Sequence, residues 1–191
     1  MPITQSFAGL SILGFGAFPG GDFEAISSVT VGSGGASSID FTGIGTDWQH
    51  LQMRVIARNN QTPGIDAQGL SVRFNSDTGS NYCRHNLTGN GSAASAVGFA
   101  NQTILYPGYV TTTTAGSDEF SASIIDIIDY GSTTKNTTVR GFAGHDGNGA
   151  GFVGVFSGAW LSTDAVLSIT LATTGNFLEH STAALYGVKA P

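Results

Sequence analysis

RGFAGHDGNGAG, Arg140 to Gly151, sets an arginine, a histidine and an aspartate among glycines. A His-Asp pair is two thirds of a nucleophilic triad, and catalysis there would need a nucleophile or metal ligand brought from elsewhere in the chain. A turn between two strands accounts for every glycine, and Asp146-Gly147 suits turn positions of positive φ. His145, Asp146 and Asn148 are therefore read as candidate ligand contacts on a surface loop. Asp126 and Asp129, with the adjacent Asp118 and Glu119, are the carboxylates from which a glycosidase pair would be drawn, although strand-end aspartates commonly cap turns. DTGSN, Asp77 to Asn81, has the Asp-Thr-Gly of aspartic proteases in a single copy, without the second aspartate that must share the proton. Gly147, Gly149 and Gly151 form GxGxG ahead of a strand, so no helix N-terminus stands there to cradle a phosphate.

Metal and redox chemistry have equally little to build on. DTGSN and HDGNG offer oxygen ligands for calcium, but not at EF-hand spacing. His50, His85, His145 and His180 show no metal-binding pairing. The single cysteine, Cys83, precludes an internal disulfide and reads as a small buried residue on a strand. Asn-x-Ser/Thr sites at Asn60, Asn86, Asn90, Asn101 and Asn136 matter only on a eukaryotic secretory route. No catalytic residue, metal or cofactor is assigned.

The elements that must position these residues are strands. In HLQMRVIAR, Leu51, Met53, Val55 and Ala57 fall on one face and Gln52, Arg54 and Arg58 on the other. LSVRF (Leu70 to Phe74) has the same period, and VLSITLA (Val166 to Ala172) is read with Leu167, Ile169 and Leu171 facing in. ISSVTV, SIDF, YCRHNL, SASIIDIIDY, TTVRGFA, FVGVFSGAWL and ALYGVK bring the set to about ten strands, spaced as in sandwiches and barrels. Loops rich in Gly, Asn and Thr punctuate them, and no window sustains a helical pattern. The expectation is an all-β protein: an antiparallel, jelly-roll-like β-sandwich over residues 26–191, preceded by an extended N-terminal arm over residues 1–25 that serves attachment or oligomerisation.

Composition agrees with that class. The 191 residues carry 40% hydrophobic but only 10% charged side chains, with 28 glycines, whereas ordinary soluble domains have roughly 25% charged residues. Polar cover must come from hydroxyls, amides and backbone. A net charge of -6 with only 7 basic residues leaves no basic stripe for nucleic acid. MPITQSFAGLSILGFGAFPGG lacks the basic opening of a secretory signal, and Leu10 to Phe18 is too short to span a bilayer, so no membrane role is expected. Phe7, Leu10, Ile12, Leu13, Phe15 and Phe18 make this arm an apolar strap. It is expected to add a strand to, or lie in a groove of, a neighbouring subunit, the alternative being a further strand of its own sandwich. Deleting residues 1–21 is expected to leave a folded domain that no longer assembles.

Five segments carry a family resemblance. IDFTGIGTDWQHLQMRVIAR, LSVRFNSDTGSNYCRHNLTGNG, IDIIDYGSTTKNTTVRGFAG, SGAWLSTDAVLSITL and LYGVK, in this order, resemble a domain of structural proteins of tailed bacteriophages, notably those infecting cyanobacteria. Two departures are Cys83, where a small hydroxyl residue is more usual, and the N-terminal arm. The resemblance implies a virion component, made in the host cytoplasm and displayed on capsid or tail, with no catalytic motif. Its partners would be itself, most simply as a trimer, and the major capsid protein or other virion subunits. Three roles compete. The first is a capsid decoration or cement protein. The second is a tail or fibre component binding host-surface glycan through Trp48, Tyr106, Tyr109 or Trp160, although a strand position for Trp160 places it in the core. The third is a depolymerase, which would need a carboxylate pair in a cleft.

Overall fold

Alternating apolar and polar side chains produce strands along nearly all of residues 21–189, which the computed structural model describes. The arm residues Phe7 to Phe18 lie outside this range. The strands are β1 (Phe23–Thr30), β2 (Ala36–Thr42), β3 (His50–Ala57), β4 (Ala67–Phe74), β5 (Tyr82–Gly89) and β6 (Ala94–Gln102), then β7 (Leu105–Thr111), β8 (Ser121–Ile128), β9 (Thr137–Gly147), β10 (Ala150–Trp160), β11 (Ser168–Phe177) and β12 (Thr182–Val188). β1 begins inside the stretch assigned to the arm. Its backbone pairs with β12, and the Phe23 ring stacks on Tyr186 with the Arg54 guanidinium over both rings.

Two antiparallel sheets face each other. The large one runs β1-β12-β3-β8-β9-β10-β5-β6 and the small one β2-β11-β4-β7. The chain changes sheet at each connection from β1 to β5, again at β6–β7 and β7–β8, and again on either side of β11. This is the strand order of a jelly roll, with the β9–β10 hairpin inserted in one sheet and β1 and β12 added at its edge. The expected β-sandwich is thus present.

The core fills the space between sheets. Leu51, Met53 and Val55 of β3 and Ile125 and Ile127 of β8 meet Ile169 and Leu171 of β11 and Leu70, Val72 and Phe74 of β4, all buried. Phe74, Tyr82 and Trp160 close one end, with ring centroids 5.8–6.5 Å apart. Four strands cannot cover eight, so β5 and β6 overhang as a wing, and β6 is exposed along almost its whole length.

Several local expectations change. Leu167 is exposed, because β11 begins one residue later and Val166 turns inward instead. Arg58 is buried: past the end of β3 its guanidinium reaches the carbonyls of Ala115, Gly116 and Glu119 and holds that loop. Cys83 is half-buried. β6 and β7 were not anticipated, since β6 has no buried face to impose alternation and β7 carries Pro107-Gly108.

Candidate functional site

The opening motif resolves into a strand and a tight hairpin. GHDG belongs to β9, and the reversal is made by Asn148-Gly149, both at positive φ (50° and 108°). Asn-Gly suits this two-residue turn better than Asp-Gly one step earlier, because both central positions need the left-handed region. His145 therefore faces inward. It is buried, its Nε2 lies 3.1 Å from Glu119 Oε2, and its ring packs by Phe152. Together with Arg58, it fastens the 115–119 loop to the sandwich. Asp146 and Asn148 stay exposed at the hairpin end.

The other carboxylates are committed separately. Asp126 accepts from Gln52 Nε2 at 2.8 Å on the outer face of β8. Asp129 pairs with Lys135 and accepts from Gln49, which holds its carboxyl below the usual range. Asp77 accepts from buried Trp160 Nε1 at 2.6 Å, from Asn81 Nδ2 and from the Gly79 amide. Those bonds, the indole's first, lower its pKa and make DTGSN a turn locked to the core. Among the described residues no three His, Cys, Asp or Glu side chains gather to hold a metal. Trp48 is half-buried, flat against Gly187, where a Cβ would stand 2.1 Å from the indole, and its ring lies 5.1 Å from Lys189 Nζ.

Two surfaces remain that no contact among the described residues covers. The first is the outer face of the large sheet. Register places Leu87, Val155, Phe142 and Ile124 in one row across β5, β10, β9 and β8. The next row runs Val153, Gly144, Ala122 and Ile56. The six large apolar side chains in these rows are 43–56% exposed, and at about 4.8 Å per strand β5 to β8 alone span about 14 Å. A polar row of His85, Ser157, Arg140, Asp126 and Gln52 borders them. The sequence signal was apolar residues at both parities, as in Ile124-Ile125, which puts one of each pair on the outer face.

The second surface is a groove between β7 and the overhanging wing. Tyr106 and Tyr109 are half-buried strand residues rather than loop residues. Tyr109 meets Phe152 and Phe156 edge-on, with centroids 4.4 and 5.3 Å away, and burial raises its pKa. The Arg84 guanidinium is held between the rings of Phe99 and Tyr106, 4.4 Å from each centroid, and burial lowers its pKa. Its Nε and the Oδ1 of Asn86, on the same face of β5, are both buried without a hydrogen-bond partner among the described residues. A cavity of about 330 Å³ opens beside them, walled by Ile65, Gln68, Tyr106 and Tyr109, and a second of about 450 Å³ adjoins it, sharing Ile65, Ala67 and Tyr109. Arg84 and Asn86 carried no signal in the sequence, because a strand arginine reads as solvated until the ring above it is known. No protein-family model, curated protein or solved structure matches the chain.

Proposed function

We propose that the protein is a non-enzymatic structural subunit of a tailed-phage particle. It decorates or cements the capsid surface and assembles with further copies of itself, most simply as a trimer, and with the major capsid protein. The observation that carries this reading is the apolar outer face of the large sheet. Six large apolar side chains contiguous on one face are a surface that a lone subunit would leave against water. Its border carries two carboxylates, Asp126 and Asp146, and two guanidiniums, Arg140 and Arg54; Asp126 and Arg140 stand opposite each other in register and are hydrogen-bonded to Gln52 and Ser157 rather than joined in an ion pair. A face balanced in this way suits a copy of itself, whereas a partner of a different kind is selected by a single excess sign. The five phage-like segments support the particle context.

Light scattering on the full chain tests the assembly. An oligomer is expected, and Phe142→Lys with Val155→Asp should give a monomer of unchanged melting temperature. A wild-type monomer at tens of micromolar would overturn the reading. Copy number per purified particle then places the subunit: near one per major capsid protein, or one per capsomer vertex, for cement, and small multiples of three or six for tail. The second reading, a tail component with a carbohydrate-binding sandwich, is favoured by the Arg84 groove.

A further inference from the structure

We infer that the groove between β7 and the β5–β6 wing binds an acidic sugar, a hexuronic acid unit of an anionic polysaccharide, through Arg84 and Asn86 beside Tyr106 and Tyr109. The inference needs no second copy and stands apart from the assembly reading.

Arg84 calls for an anion. Acidic residues outnumber basic ones 13 to 7, yet this arginine makes neither an ion pair nor a side-chain hydrogen bond among the described residues, where its guanidinium meets two aromatic rings. The rings fix the plane of the guanidinium and strip part of its hydration, which preorganises it for a planar carboxylate and leaves its charge uncompensated. A half-buried arginine that only stapled two sheet edges would be as well served by an apolar side chain.

Asn86 narrows the anion to a sugar. It is two residues along the same strand face, about 7 Å away, and its buried Oδ1 needs a donor that an inorganic anion does not have. A hexuronate carries a carboxylate at one end of its ring and hydroxyl donors at the other, on that scale. Tyr106, Tyr109 and Ile65 provide the apolar wall on which the C–H face of a sugar rests. A cavity of about 330 Å³ has the size of a small-ligand site. The adjoining hollow past Tyr109, lined by Asp66, Thr88, Asn90 and Ser95, continues the groove for the next unit of a polymer.

Calorimetric titration of the full-length protein with a trihexuronate, the neutral hexose trisaccharide of the same linkage, and sodium sulfate tests this. The trihexuronate is expected to bind at least tenfold more tightly than either of the others. Arg84→Met, which keeps an apolar stem between the rings, should cost more than tenfold in affinity. Asn86→Asp, which sets a carboxylate against the ligand and leaves the ring stack alone, should do the same with an unchanged melting curve, and decides the matter if the methionine variant does not fold. Equal affinity for the neutral trisaccharide, equal affinity for sulfate, no binding, or binding indifferent to the folded variants would each overturn it.

Discussion

Trp160 turns its indole N–H out of the aromatic end of the core, towards Asp77. A buried donor that loses a charged acceptor costs about 2 kcal/mol, so Asp77→Ala should lower the melting temperature by about 4–8 °C, read by calorimetry. The same bond predicts acid sensitivity. The folded-state pKa values of Asp77 and Asp129 are depressed, so their stabilisation is complete above the unfolded value of about 3.9 and is lost as the pH falls through and below it. Wild-type stability measured from pH 5 to 2 should drop steeply, and Asp77→Ala should drop less. Tyr82 has the opposite sense. Burial pushes its hydroxyl up to about 12 from 10.0, so its contribution is present below pH 10 and fades as the pH rises towards 12. At this scale DTGSN was readable as a turn, and Trp160 as a core residue, from their own types. The acceptor that joins them was not, because 83 residues separate the two groups.

Strands with one wet face could be placed from sequence alone. β3 alternates as its residues prescribe, Leu51, Met53, Val55 and Ala57 all lying buried. The pattern fails where the environment is not one-sided. β6 has water on both faces, and Arg58 lies just past a strand end, where the chain bends into the interior. Gly141 illustrates a constraint that periodicity does not carry. It sits on the inner face of β9 beneath β7, and a Cβ there would lie 1.9 Å from the Pro107 carbonyl oxygen. Backbone occupies the space from the other sheet, so no side-chain rotation relieves the clash. Gly141→Ala should therefore destabilise the protein by about 3 kcal/mol or more, measurable by denaturant titration. Of the glycines in the RGFAGHDGNGAG stretch, Gly149 serves the turn, while Gly141 serves the approach of the two sheets.

On the scale of the molecule, the all-β class and the sandwich were legible, since composition, spacing and turn residues pointed the same way. The two unclaimed surfaces were not, because each is assembled from strands whose neighbours are set by topology: β5 beside β10, β7 under the wing. The same topology governs when the protein can form at all. β12 lies between β1 and β3, and β11 between β2 and β4, so the earliest strands have no permanent neighbours until the latest have been synthesised. A chain cut before Thr182 would leave β1 unpaired and uncover Leu51, Met53 and Val55 at a raw edge, and it should collect in the insoluble fraction on expression, unlike the full chain. Synthesis is in effect proofread by closure: a ribosome that stops before β12 releases a chain that cannot close its large sheet, and only chains carrying this strand can be counted in.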